Sequence, residues 1–195
     1  LATYNQVITW LPTNSSASII TSTVDIIDAS GNLVGATGPD REMWLEEDRC
    51  FELEDKLHSR VYAVPCDVLL RRCLTTMKNP FNFAATCYSR AAYEAVEGYG
   101  GGRLINPDKW FHWKVLGVAD TAYFIDKPMF AYRWHGENQA AQESSTSALK
   151  FLVDEYVSTL ELDPKVLERI GVTRDELLDA FVETDIARHG LATLA

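Results

Sequence analysis

Residues 121–133 read Thr-Ala-Tyr-Phe-Ile-Asp-Lys-Pro-Met-Phe-Ala-Tyr-Arg (TAYFIDKPMFAYR). Thr121 to Ile125 has the β-branched and aromatic make-up of a strand, Asp126-Lys127-Pro128 has the chemistry of a turn, and Met129 to Arg133 reads as a second strand. Working back, Phe83 to Tyr88 reads as a short strand. Ser89 then caps a helix running through Tyr93 to Val96, with Gly98 near its end. After Gly100-Gly101-Gly102 comes a helix from Pro107 to Leu116. Helices interleaved with strands predict a mixed α/β core.

Further out, Tyr4, Val7, Ile8 and Leu11 recur at helical spacing, and Pro12 with Asn14-Ser15-Ser16 ends that segment. SIITSTVDII (18–27) runs into the turn cluster Asp28-Ala29-Ser30-Gly31-Asn32 and then Leu33-Val34, which predicts a hairpin-like pair of strands. Residues 40–55 are crowded with acids and read as a solvated helical face, because consecutive carboxylates on a helix fan outward and do not converge on a cation. A helix follows Pro65 through Val68, Leu69, Leu70 and Cys73. Beyond Asn138 a polar linker leads to amphipathic helices at 148–160, 164–170 and 174–188, where Thr173 and Glu176 form a capping-box pattern.

The 195 residues, 47% of them apolar, suffice for a sizeable core. A net charge of −10 argues against a general nucleic-acid binder, which would need excess Lys and Arg against phosphates, and leaves small molecules and proteins as partners. Cys50, Cys66, Cys73 and Cys87 show neither C-x-x-C nor metal-like spacing and read as free thiols in a reducing, cytoplasmic compartment. No apolar run is long enough to span a bilayer. The triple glycine matches neither phosphate-loop pattern, and reads as a turn.

Asp108, in the first turn of its helix, reads as a cap from spacing alone. A second reading comes from the blocks around it. The strand ending in Ser89-Arg90, the helix Ala91 to Val96, the Gly98-Tyr99-Gly100 turn, the acid opening an aromatic helix, and the closing Tyr132-Arg133-Trp134-His135-Gly136-Glu137-Asn138 resemble, in order and register, the C-terminal half of the catalytic domain of family 2 glycosyltransferases. The likeness extends more weakly upstream and covers roughly residues 1–138, with 139–195 as a linker and helical extension. It implies a partial GT-A fold (nucleotide-diphospho-sugar transferase-like, α/β with a mixed sheet and C-terminal helices). The implied activity moves a sugar from a nucleotide-sugar donor to a saccharide or lipid-linked acceptor.

In that family an Asp, usually preceded by Glu, is the catalytic base. Here Pro107 replaces the Glu, and Asp108 is retained. The resemblance implies that Asp108 takes the acceptor's proton, that Trp110 lines the acceptor site, and that Arg133 and His135 lie on the diphosphate side. His112 reads as a packed histidine, and His58 and His189 have no supporting context. The family's Asp-x-Asp element, which holds Mg or Mn against the sugar diphosphate, has no counterpart in the sequence, where His135 is the one candidate ligand. With Leu1 at its start and opening residues like the helix after that element, the chain is expected to be the acceptor-side part of a longer enzyme, inactive alone. Membrane association of the longer enzyme and homo-oligomerisation through an exposed strand edge are both compatible with this. The alternative is a non-enzymatic protein-interaction module using the acidic and C-terminal helices. A hydrolase with paired carboxylates lacks a second acid near Asp108.

Overall fold

A computed structural model of the protein describes residues 4–5, 8–9, 18–38, 40–99, 107–135 and 148–186. It is mixed α/β, with five strands and, besides helical residues at 4–5 and 8–9, seven α-helices among the described residues. The strands are β1 (Ser18–Ile27), β2 (Leu33–Thr37), β3 (Val61–Pro65), β4 (Cys87–Tyr88) and β5 (Thr121–Arg133). The helices are α1 (Phe51–Leu57), α2 (Cys66–Thr76), α3 (Arg90–Ala95), α4 (Pro107–Leu116), α5 (Ala148–Leu160), α6 (Pro164–Ile170) and α7 (Arg174–Ala180). The sheet runs β2-β1-β5-β3, with the short β4 beside the first half of β1. β1 and β5 are parallel and the other pairs antiparallel.

Period-two alternation divides the sheet between two cores. Ile19, Tyr62, Val64, Ala122 and Phe124 face the larger one, built with α2, α4, α6 and α7. Ile20, Val61, Tyr123 and Ile125 face the smaller one with Tyr4, Leu53 and Leu57. Full burial in β1 and β5 is confined to Ile19–Val24 and Ala122–Ile125; beyond Ile125 only Met129 and Phe130 pack, partly buried, on the smaller core, and β2 is exposed along its whole length. The C-terminal helices supply Leu162, Leu167, Ile170, Val172, Leu177 and Phe181 to the larger core. They are clamped by Arg71 on the carbonyl of Ile170 (2.9 Å) and by Arg169 on Asp67 and the Gly117 carbonyl.

The β1–β2 hairpin forms as expected, with the Asp28 carboxylate accepting from the backbone and side chain of Asn32 and Gly31 in the left-handed region. Asp126-Lys127-Pro128, however, does not turn the chain. Residues 121–133 are one strand, whose pairing skips from Ser22–Ile125 to Thr23–Pro128. Two extra residues bulge there, and a bulge is where a strand accepts a proline. The Asp126 N–H to Arg60 (2.9 Å) and the Ser59 hydroxyl on the Asp126 carbonyl (3.0 Å) hold the strand straight where turn chemistry would have bent it.

Phe83–Ala85 is a 3-10 turn, not a strand, because the Asn82 side chain accepts from the Ala84 N–H; only Cys87–Tyr88 pair. The acidic stretch is two 3-10 turns and α1, and its acids are partly engaged: Glu54 receives a two-pronged contact from Arg49 (2.9 and 2.6 Å), and Asp48 binds Arg72 at 2.5 Å. The expected helix 174–188 ends at Ala180 and continues as a π-turn, Phe181–Ile186; its Thr173–Glu176 capping box is formed. The N-terminal helix is seen at Tyr4–Asn5 and Ile8–Thr9, and the rest of it lies outside the described residues. The four cysteines are free thiols. No helix among the described residues is long and apolar enough to cross a membrane.

Candidate active site

α4 carries the candidate base. Apart from its first two residues and Lys114, every position on it is buried, so it is a core helix on all sides. Pro107 opens it and Asp108 occupies its second position, half-buried. No described residue donates a hydrogen bond to the Asp108 carboxylate. Loss of water at this position pushes its pKa above the ordinary carboxylate value of 3.8. A carboxylate capping a helix through backbone N–H groups would move the other way.

The aromatic run after Asp108 is core. Phe111 and Trp113 are fully buried, and the Trp113 indole N–H donates to the Lys78 carbonyl at 3.2 Å. Trp110 is 5% exposed, with the Lys114 ammonium 4.2 Å over its ring. His112 is sealed against Phe81 and Phe111, its Nδ1 3.3 Å from Asn79 Oδ1, and burial lowers its pKa to about 3. The imidazole is therefore neutral and structural. Lys109 is also buried, paired with Glu155 at 2.7 Å and lying 4.9 Å over the Trp113 ring.

A different group of aromatics lies beside Asp108. The turn after α3 places Glu97 and Gly98 in the left-handed region (φ 59° and 70°). This sends Tyr99 back over Phe111, ring on ring, with centroids 3.9 Å apart and planes 18° from parallel. Phe111 is three residues after Asp108, on the same helical face, so Tyr99 packs on the face of the helix that carries the carboxylate. Burial, then the Tyr88 hydroxyl 3.4 Å away and, less, the Asp108 charge raise the Tyr99 pKa. Phe83 meets Tyr99 edge-on at 5.9 Å and is 58% exposed. Tyr88 and Tyr93 stack at 6.0 Å and complete the nest. Sequence reasoning passed over Phe83, Tyr88 and Tyr99. The available signal was Tyr99 between two glycines, an aromatic side chain that needs a surface to pack on.

Arg133 and His135 are not in this group. Arg133 is at the exposed end of β5, donating to the carbonyls of Asp28 (3.2 Å) and Ala29 (2.8 Å), so it ties down the β1–β2 turn. Its partner Ile27 is eight residues along β1 from Ile19, the rung of Tyr88, on which Phe111 packs. That separation is roughly 25 Å at the strand rise per residue. His135 is exposed beyond Trp134, itself 49% exposed. Among the described residues no three His, Cys, Asp or Glu side chains converge as cation ligands, and no step below passes through a metal. In comparisons with known proteins the chain matches no family model and no curated protein.

Proposed function

We propose that this chain supplies the acceptor side of a glycosyltransferase of the family 2 type, in a GT-A-like arrangement, with Asp108 as the general base. The observation that carries the reading is the state of Asp108: a half-buried carboxylate with no hydrogen-bond donor among the described residues and a pKa raised by loss of water. A carboxylate that accepts no hydrogen bond from the described residues has lone pairs for a substrate proton, and a raised pKa brings it nearer the working pH of a base. In the proposed step the acceptor hydroxyl donates to Asp108 as its oxygen attacks the anomeric carbon. The new C–O bond forms while the bond to the diphosphate breaks, the electron pair leaves with the nucleoside diphosphate, and the proton passes to Asp108. The parallel β1–β5 pair within a mixed sheet is compatible with the GT-A arrangement. Donor and cation belong, on this reading, to a part of the enzyme that these residues do not include. Arg133, on the far rung of the sheet, and His135, beyond its end, have no assigned part in the step.

The test is sugar transfer from a panel of nucleotide-sugars by the protein that carries this chain, wild type against Asp108→Asn. A loss of about 100-fold or more with folding retained is expected of a lost base. Unchanged turnover would remove the proposal. A second reading, a protein-interaction module, draws on one observation: β2 is exposed throughout, with Leu33 at 67% and Val34 at 61%. Binding of a protein partner that ignores nucleotide-sugars and is lost in Val34→Lys would favour it.

A further inference from the structure

We propose that Lys114 is a site of covalent chemistry: the cavity that its side chain lines admits a small aldehyde with an apolar body, which the amine condenses to an imine. Lys114 stands in the last turn of α4, at the opposite end from Asp108, and the proposal does not depend on the transferase reading.

The ends of α3 and α4 and the junction of α5 with α6 line a cavity of about 250 Å³. Val96, Trp113, Val118, Leu162 and Val166 give it apolar walls. That volume is below the range for drug-sized ligands and suits a molecule of a few carbon atoms. The amine on its wall is held without being neutralised. Lys114 Nζ donates to the Val96 carbonyl at 2.6 Å and lies 4.2 Å over the Trp110 ring, and it makes no ion pair among the described residues. Lys56, Lys78 and Lys109, by contrast, each lie against a carboxylate, which favours their charged form. A carbonyl partner serves either state of Lys114, because an uncharged amine still donates to it and keeps its lone pair for an electrophile. Loss of water lowers the pKa of this amine, against the opposing charges of Glu161 and Glu97. A desolvated lysine in an apolar pocket is the setting in which amines attack carbonyl compounds.

The carboxylates that share the cavity are Glu97 after α3, Glu161 after α5 and Asp163 at the start of α6. Asp163 accepts from the Lys165 N–H at 2.8 Å, which leaves Glu97 and Glu161 to move protons. In the step, one of them takes a proton from the Lys114 ammonium, and the nitrogen lone pair forms a C–N bond to the aldehyde carbon. The carbonyl oxygen collects one proton from the nitrogen and one from the carboxyl group and departs as water, leaving the protonated imine.

The test uses butanal, with acetaldehyde as the short control, and cyanoborohydride to reduce any imine to a stable secondary amine; the alkylation rate at each lysine of the full chain is read by mass spectrometry after digestion. Lys114 should react faster than Lys127 and Lys165, which are exposed on the surface. The ratio of its rate to theirs should be about tenfold larger with butanal than with acetaldehyde, the effect of two further buried methylenes. Val118→Trp, at an exposed position on the cavity wall, should abolish that preference and leave the rates at Lys127 and Lys165 unchanged. Alkylation of Lys114 no faster than of Lys127 and Lys165, or equal ratios with the two aldehydes, would overturn the proposal. A preference that survives Val118→Trp would also overturn it, by placing the reaction outside the cavity. Where that variant does not fold, the comparison of the two aldehydes on the wild-type protein decides.

Discussion

Asp108 and His112 stand one helical turn apart on α4, and loss of water moves the carboxyl up and the imidazole down, because in each it is the charged form that suffers. The consequences for stability differ with pH. The folded-state pKa of Asp108 lies above its unfolded value, so the native state holds the extra proton just above 3.8, and stability falls as pH rises through that window and stays lower at neutrality. Asp108→Asn should therefore leave the urea midpoint at pH 7 unchanged or raise it. A cost of about 1 kcal/mol, the usual penalty for losing a helix cap, would contradict the account. For His112 the folded value, about 3, lies below the ordinary 6.5. Its contribution is complete above 6.5 and is lost as pH falls toward 3. His112→Gln should flatten the decline in stability across that range, as followed by urea titrations at successive pH values; an unaltered slope would show that the imidazole is not the sensitive group.

At the scale of elements, the turn after α3 and the seam between α4 and α5 hold the site in place. A Cβ added at Gly98 would lie 2.7 Å from the Tyr93 hydroxyl and 2.8 Å from its ring, on a backbone with φ of 70°. Gly98→Ala should cost about 1–3 kcal/mol in thermal or urea unfolding and displace Tyr99 from Phe111. Wild-type stability in that variant would mean the turn can relax without cost. Lys109 and Glu155 form an ion pair with both side chains at 15% exposure or less. Removing the ammonium alone, in Lys109→Met, leaves a carboxylate in poor solvent and should cost about 3 kcal/mol, whereas Lys109→Met with Glu155→Leu should recover much of it. A double-mutant cycle without that recovery would refute the pairing. The limits of the sequence reading are also clearest here. Helices with caps and prolines, such as 164–170 and the Thr173–Glu176 box, were legible because those signals are local. β3 was missed although Val61-Tyr-Ala-Val is a short apolar run rich in strand-forming residues, since four residues before a helix-opening proline carry little evidence without their partner, β5. The bulge at Asp126-Lys127 was misread as a turn because only pairing with β1, contributed by residues about 100 positions away, keeps that peptide extended.

For the whole molecule, the two halves of the sequence share one core. Leu162, Leu167, Leu177 and Phe181 pack with Leu69, Leu70, Trp113 and Phe124, so the C-terminal helices are structural members of the α/β layer. Deleting 148–195 should abolish cooperative thermal unfolding of the remainder, and a shortened chain that melts as sharply as the full one would show the helices to be dispensable. This scale also explains why the site was only half legible. Asp108 could be singled out because an acid at a helix start is visible in the sequence. Its neighbours could not, because a helix buried on all sides has no apolar stripe to show which aromatics are core, and Tyr99 and Phe83 reach the site through a left-handed turn and a capped 3-10 turn. The most direct test of the central claim is a site-resolved pH titration of the Asp108 carboxyl carbon in the wild-type protein. The account requires a midpoint above 3.8, the mark of a carboxylate that has lost water and is available as a base; a midpoint below that value would show an anion already stabilised by the helix end and poorly disposed to take a proton.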